Sequence, residues 1–214
     1  MDSHSLGGFA AKLKSSIDLV VHLTRNPQFA PQYWQLRKAS TLDSRIPWTS
    51  FSAIERLRKT IKPGTKIMEF GSGGSTLFFL DLGATVVSLE GDPEWANVVR
   101  SSVAAPLNER FALLEVDYSR RSEPEAYLEK IAEYDISDFD FIFVDFPENP
   151  RDGTSRTRLL QALEPKLKRG SVALLDDSWR YPFITSQTAA AKTELLRSVG
   201  PSRPGVTEAL MFYY

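Results

Sequence analysis

The residues best suited to bind a ligand lie in a glycine-rich turn at positions 69–76, with the sequence EFGSGGST. The turn follows a short apolar run and precedes a stretch of helical character. Glycines there let the backbone approach a ligand closely, and a helix N-terminus presents unpaired N–H groups to it. In an α/β sheet, ligands bind outside the carboxyl ends of the strands, where this turn would lie. The turn therefore predicts a ligand site.

The spacing within the turn excludes two common nucleotide-binding motifs. A dinucleotide fingerprint would need glycine where Thr76 stands, and a phosphate loop would need a Lys-Ser/Thr pair that the turn lacks. Glu69, immediately before the loop, disfavours a pyrophosphate and suits a cationic ligand. S-adenosylmethionine carries a sulfonium and an ammonium group, so charge complementarity favours it over a dinucleotide.

A second carboxylate, Glu90, ends the next apolar run, 19 residues after Gly71. A carboxylate at this distance, at the tip of a second strand, can accept hydrogen bonds from both hydroxyls of a ribose. Asp92 is the alternative candidate for this role. Trp95 would either wall the adenine or pack in the core.

The turn and these carboxylates resemble the class I S-adenosylmethionine-dependent methyltransferases, over roughly residues 65–214. Their first motif is an acidic residue, any residue and then Gly-x-Gly-x-Gly. Glu69, Gly71 and Gly73 match it, and Ser75 replaces the third glycine. The resemblance implies methyl transfer from S-adenosylmethionine to an acceptor, with the donor-binding residues Glu69, Gly71, Ser72, Gly73, Ser75, Thr76, Glu90, Gly91, Asp117, Tyr118 and Asp145.

Three aspartates, Asp145, Asp176 and Asp177, follow the fourth and fifth apolar runs. The resemblance places Asp145 beside the donor and the acceptor, and we expect Asp145 and Asp177 to be catalytic. Crowded carboxylates repel one another unless a cation neutralises them, and Mg²⁺ or Ca²⁺ prefers such oxygen ligands. The trio is similar to the catechol-type O-methyltransferases, which bind a divalent ion through an Asp after strand four and an Asp-Asn pair after strand five. Alternatively, Asp145 contacts the donor or acceptor without a metal, and one of the other two caps a helix.

Five short apolar runs alternate with stretches of helical character, at residues 66–70, 85–90, 111–116, 139–145 and 171–176. Near-continuous apolar runs are typical of parallel strands buried on both faces. Their alternation with helices predicts a doubly wound α/β fold, and the resemblance extends this to a mostly parallel seven-stranded sheet. The tail at residues 207–214 predicts a last strand that returns antiparallel.

Residues 1–64 are expected to form an N-terminal helical cap or extension, and residues 65–214 the donor-binding domain. One helix is predicted over residues 50–61, where Pro63 and Gly64 stop it. An earlier helix would pack on the domain, form a lid or contact a membrane surface. Its apolar residues recur at helical spacing: Phe9, Leu13, Ile17, Val20 and Val21.

Composition narrows the range of functions. With 26 basic and 27 acidic residues, the chain has no basic excess for a phosphate backbone, so nucleic acid is not expected as a partner. The absence of cysteine excludes disulfides, thiolate nucleophiles and cysteine metal sites. No apolar stretch approaches the ~20 residues of a membrane span, and the start lacks a signal-peptide pattern, so a cytoplasmic location is expected. Homo-oligomer formation stays open.

The acceptor is not identified by the sequence, although a small molecule methylated on oxygen is favoured. Aminopropyl transfer by a polyamine-synthase-like enzyme on the same fold and a non-catalytic nucleotide-binding domain are the alternatives. Neither His4 nor His22 lies near a strand tip, so a general base would be a carboxylate, Tyr118 or Tyr181. Four arginines near the fourth and fifth tips would hold an anionic acceptor or pair with nearby acids: Arg151, Arg156, Arg158 and Arg180.

Overall fold

A computed structural model describes residues 15–119, 122–148, 153–201 and 205–214. These residues contain a seven-stranded sheet with the strand order β3-β2-β1-β4-β5-β7-β6. The strands are β1 (Lys66–Phe70), β2 (Thr85–Glu90), β3 (Phe111–Glu115), β4 (Phe141–Val144), β5 (Val172–Asp176), β6 (Lys192–Val199) and β7 (Val206–Tyr213). All neighbouring strands are parallel except β7, which runs antiparallel to β5 and to β6. The predicted doubly wound, mostly parallel sheet is therefore confirmed.

Helices cover both faces of this sheet. The described helices are α1 (residues 15–25), α2 (Ala30–Leu36), α3 (Thr41–Ser44), α4 (Phe51–Thr60), α5 (Gly74–Asp81), α6 (Pro93–Ser102), α7 (Glu123–Lys130) and α8 (Ser155–Leu163). Between β5 and β6 the chain forms only short 3₁₀ turns in place of a longer helix.

The core is divided by the sheet into two layers. Successive residues of a strand point to opposite faces, so Ile67 packs with α4 and α5 on one side and Met68 packs with α7 and α8 on the other. All four residues of β4 are almost completely buried. This two-sided burial explains why the strands read as continuous apolar runs.

Strand β6 was not located by the sequence patterns. It lies at the edge of the sheet, pairs only with β7 and contains exposed, half-buried and buried residues without a regular alternation. Charged residues such as Glu194 and Arg197 interrupt its apolar positions, so it does not form a recognisable apolar run. The tail strand β7, in contrast, is antiparallel as predicted.

The N-terminal segment is packed into the domain. Ser50 caps α4, where its side chain accepts a hydrogen bond from the Ala53 N–H, and Ile54 and Leu57 are buried in the core. On α1, Leu19 and Leu23 pack against the core. The remaining apolar residues of α1 point outward, with exposed fractions of 54% for Ile17, 63% for Val20 and 41% for Val21. Helix α4, which precedes residue 64, shares the core of the sheet. The predicted boundary near residue 64 stays a prediction.

Four residues singled out in the sequence lie outside the described residues: His4, Phe9, Leu13 and Arg151. Among the helices that are described, none has the length and apolar character needed to cross a membrane.

Candidate functional site

A cavity of about 470 Å³ lies at the carboxyl ends of β1, β2 and β4. The strand order reverses at this point, since β2 lies on one side of β1 and β4 on the other. Such a switch point is where open α/β sheets bind ligands, and this volume suits a ligand of nucleoside size. The described lining residues are Thr41, Trp48, Gly71, Ser72, Gly73, Gly74, Ser75, Glu90, Asp92, Trp95, Asp145, Pro147 and Arg156.

The glycine turn is compressed between neighbouring backbone segments. Gly71 has a φ of 94°, and a Cβ atom there would lie 2.1 Å from the carbonyl oxygen of Asp145. A Cβ atom at Gly74 would lie 2.3 Å from Thr41 Oγ1, which accepts the Gly74 N–H at 3.1 Å. Both positions require glycine, because no side chain fits such contacts.

Glu90 joins the tip of β2 to this turn. Its Oε2 accepts hydrogen bonds from the Ser72 N–H at 2.9 Å and the Ser72 hydroxyl at 2.8 Å. Its Oε1 accepts from the N–H groups of Gly91 at 2.8 Å and Asp92 at 3.0 Å. The carboxylate is thus fixed on the cavity wall, and the Ser72 hydroxyl is the one of its four donors that can rotate away.

Trp95 forms part of the cavity wall. Its indole Nε1 donates to the Ser72 carbonyl at 2.9 Å, and the side chain is half-buried against the turn. The sequence left open whether Trp95 lines the ligand site or packs in the hydrophobic core. The structure favours a position on the cavity wall. Asp92 caps α6 by accepting the N–H groups of Glu94 and Trp95.

Glu69 lies behind the glycine turn rather than on the cavity wall. It is completely buried, and its Oε2 accepts hydrogen bonds from Thr76 Oγ1 at 2.6 Å and Ser88 Oγ at 2.8 Å. Thr76 Oγ1 in turn accepts the Gly73 N–H at 3.0 Å. The sequence suggested that Glu69 contacts a cationic ligand directly. In the structure, Glu69 instead anchors the turn from behind.

Burial raises the pKa of Glu69 from 4.5 to about 7, although hydroxyl hydrogen bonds from Ser75, Thr76 and Ser88 oppose this rise. Because the folded state favours the protonated form of Glu69, this form stabilises the fold fully at pH values below the pKa of the unfolded chain. The stabilisation is lost as the pH rises to the folded-state pKa of about 7. Relative to Glu69→Gln, we expect the unfolding free energy of the wild type to fall by about 3 kcal/mol between pH 4.5 and pH 8. Urea unfolding of both proteins at several pH values measures this. A difference that does not change with pH would contradict it.

Of the three aspartates, only Asp145 reaches the cavity. Asp176 is completely buried, where its Oδ1 accepts a hydrogen bond from Thr49 Oγ1, and burial together with Asp145 and Asp177 raises the pKa of Asp176 well above its usual range. Asp177 is also buried; it accepts the Trp179 Nε1–H at 3.2 Å and lies 3.1 Å from Arg180 Nη2. The three carboxylates are close enough to influence one another, yet different partners hold their side chains.

The expected divalent-cation site at Asp145, Asp176 and Asp177 is not supported. Across the described ranges, no group of three or more His, Cys, Asp or Glu side chains is arranged to hold an ion. Guanidinium groups lie beside these carboxylates instead: Arg156 Nη2 is 2.9 Å from Asp145 Oδ1, and Arg180 Nη2 is 3.1 Å from Asp177 Oδ2. The sequence left two roles open for Arg156, to hold an anionic acceptor or to pair with nearby acids. The structure shows the pairing.

The two positions after β3 have different surroundings. Asp117 accepts hydrogen bonds from Ser119 and lines a larger groove of about 670 Å³ between β3 and α7, which holds none of the other predicted donor-binding residues. Tyr118 packs on Gly91, where a Cβ atom would lie 2.0 Å from its ring, and its hydroxyl bonds that of Tyr127. Burial raises the pKa values of Tyr118 and Tyr181 well above the usual value for a tyrosine, which disfavours deprotonation of either hydroxyl.

Three cavity residues were missed in the sequence: Pro147, two positions after Asp145, and the more distant Thr41 and Trp48. The last two depend on tertiary packing. They precede the turn by more than 20 residues and reach it because α3 packs on α5. The contact is fixed by Arg45, whose Nε and Nη2 donate to Asp81 at 2.7 and 2.6 Å. No local pattern marks Thr41 or Trp48, since only tertiary packing places them there.

The fold is similar to those of solved methyltransferase structures. A candidate O-methyltransferase from Klebsiella pneumoniae is 18% identical, with a TM-score of 0.58 over 94% of this chain and 98% of that chain. The C-terminal domain of a precorrin-6Y C5,15-methyltransferase from Rhodobacter capsulatus is 11% identical, with a TM-score of 0.54 over 76% of this chain and 86% of that one.

A candidate methyltransferase from Streptococcus mutans, solved in complex with SAH, is 9% identical, with a TM-score of 0.54 over 75% of this chain and 94% of that chain. No protein-family model matches the sequence, and no curated protein matches it. At these identities the likeness establishes the fold, so the resemblance seen in the glycine turn is confirmed at that level.

Proposed function

We propose that this chain is an S-adenosylmethionine-dependent methyltransferase whose donor binds between the glycine turn and Glu90. The observation that carries the proposal is the pair of hydrogen bonds from Ser72 to Glu90, which joins the turn and the acidic tip of β2 into one wall. A ribose next to this wall would donate both hydroxyls to the Glu90 carboxylate, one of them in place of the Ser72 hydroxyl.

The charge of the cavity supports a cationic ligand. Glu90, Asp92 and Asp145 face it, whereas Arg156 is the one basic side chain among the described lining residues and is paired with Asp145. A pyrophosphate would meet like charge here, whereas the sulfonium and ammonium groups of S-adenosylmethionine would meet opposite charge. The flat face of Trp95 offers an adenine ring a stacking surface.

Methyl transfer needs little covalent help from the protein. The acceptor atom attacks the sulfonium methyl group in line, and sulfur leaves with the bonding electron pair. Positioning of the two reactants and exclusion of water then supply most of the rate enhancement. Asp145 is our candidate for the carboxylate that takes the acceptor's proton, since its side chain is 27% exposed and lines the cavity. Asp177 instead holds the turn after β5 through Trp179 and Arg180.

We further propose a small-molecule acceptor methylated on oxygen. The similarity to the Klebsiella pneumoniae candidate O-methyltransferase spans 98% of that chain and supports this choice. Aminopropyl transfer would need two carboxylates facing an amine, in addition to the Glu90 that we assign to the ribose. Asp145 lines the cavity, but Asp176 and Asp177 do not, and Asp92 is engaged in capping α6. We therefore do not favour that alternative.

Titration calorimetry with S-adenosylmethionine and S-adenosylhomocysteine tests the proposal. We expect dissociation constants in the range of about 1 μM to 1 mM, and at least tenfold weaker binding of NAD⁺ and ATP. No heat with either sulfur ligand, or preferential binding of NAD⁺, would contradict it. Incubation with methyl-labelled donor and a panel of phenols, alcohols and carboxylates then separates an enzyme from a non-catalytic binding domain, which would bind the donor and transfer no label.

A further inference from the structure

Arg156 connects the tips of two neighbouring strands. It lies in the first turn of α8 and is only 5% exposed. Its Nε donates to the carbonyl oxygen of Phe146 at 2.7 Å, after β4, and its Nη1 donates to that of Asp176 at 3.1 Å, at the end of β5. Its Nη2 pairs with Asp145 at 2.9 Å. Every nitrogen of the guanidinium group is therefore engaged.

The surrounding carboxylates explain why a buried cation is tolerated here. Desolvation opposes the charged form of Arg156, yet Asp145, Asp176 and Asp177 together raise its pKa. The planar guanidinium presents donors in a fixed fork, so it constrains the directions of all its partners at once. A lysine would supply the charge without this geometry.

Asp145 is the partner through which Arg156 reaches the ligand site. Its carbonyl oxygen lies against Gly71, its side chain lines the cavity, and its Oδ1 is held by Arg156. Without the guanidinium, the Asp145 side chain would be free to change rotamer. The acidic edge would also lose the cation that contacts both strand tips.

We propose that Arg156 is a positioning residue, which neutralises the Asp145 carboxylate and fixes it towards the bound donor. This inference rests on the proposed function for its ligand and names a residue that acts through Asp145. Since Arg156 already pairs with Asp145, we expect donor binding to persist without a divalent ion.

The binding test compares Arg156→Lys, Arg156→Met and Arg156→Ala with Arg158→Met, a control two positions on in the same helix whose arginine forms an exposed ion pair with Glu125. We expect S-adenosylhomocysteine to bind about 100-fold more weakly to Arg156→Met, less weakly to Arg156→Lys, and normally to the control. Millimolar guanidinium should restore affinity to Arg156→Ala, and a chelator should leave the wild type unchanged.

Any of three results would overturn the inference. They are normal binding by Arg156→Met, loss of wild-type binding on chelation, and failure of guanidinium to restore a folded Arg156→Ala protein. If Arg156 had only a structural role, its replacement would lower stability, and added guanidinium would not restore binding.

A second measurement does not depend on the ligand. In urea unfolding, Arg156→Met and Asp145→Asn should be non-additive, with the double variant departing about tenfold in the unfolding equilibrium constant from the product of the single effects. If the wild type binds neither sulfur ligand, the proposed function fails. The comparison of single and double variants still shows whether Arg156 and Asp145 are coupled. Additive effects would overturn the Arg156–Asp145 link even in a protein that binds the donor.

Discussion

Replacing Gly71 by alanine is expected to abolish donor binding and to lower the unfolding free energy by about 3 kcal/mol. The φ of 94° at Gly71 disfavours any residue with a Cβ atom, and that atom would lie 2.1 Å from the Asp145 carbonyl oxygen. Since this oxygen belongs to backbone, relief of the clash must separate the turn from the tip of β4. Urea unfolding and calorimetry with S-adenosylhomocysteine measure the two effects.

Gly170→Ala is the matched control for this substitution. Gly170 has nearly the same φ, 91°, but no atom lies within 4 Å of the position that its Cβ would take. It should therefore show only the backbone cost, about 1 kcal/mol, and bind the donor normally. Equal destabilisation by the two alanines would show that the close approach of Gly71 to Asp145 is unimportant, and normal binding by Gly71→Ala would remove the turn from the site.

The second large effect is expected for Glu90→Gln, which should weaken S-adenosylhomocysteine binding about 100-fold, or about 3 kcal/mol. The Glu90 carboxylate accepts four hydrogen bonds, from Ser72, Gly91 and Asp92. A glutamine amide has only one acceptor oxygen, so its NH₂ group would face N–H donors on one side. The charge that strengthens a bond from a ribose hydroxyl would also be lost.

Glu115→Gln provides the comparison, because Glu115 is the partner of Glu90 in the register between β2 and β3. It is exposed, pairs with Arg100 and lines the groove between β3 and α7 instead of the glycine-turn cavity. We expect its affinity to stay within about twofold of the wild type, in line with the small effect of exposed ion pairs. If Glu115→Gln had the larger effect of the two, the nucleoside would have to be sought in that groove.

Much of the sheet was predictable because its signals are local. The four residues of β4 are buried on both faces, so the strand must be apolar throughout, and an apolar run is what the sequence displays. The glycine turn was equally readable, since the close approaches at Gly71 and Gly74 admit no other residue. The position of Glu90 at the tip of the second strand was predicted from its spacing to the turn.

Side-chain orientation was not predictable, because it depends on packing between distant segments. Glu69 has the residue type expected beside a cation, yet hydroxyls of Thr76 and Ser88 hold it behind the turn. The aspartates after β4 and β5 are the residue types of a metal site. They do not form such a site here, because Thr49 binds Asp176, Trp179 binds Asp177 and Arg156 pairs with Asp145. No pattern in the chain reveals these contacts.

The most direct test of the central claim is a crystal structure of the complex with S-adenosylhomocysteine. We expect both ribose hydroxyls within hydrogen-bonding distance of the Glu90 carboxylate, the adenine against Trp95, and the sulfur on the side of the cavity formed by Gly71 and Asp145. A nucleoside bound in the groove between β3 and α7, with the Ser72 hydroxyl still on Glu90 and the glycine turn unoccupied, would contradict it.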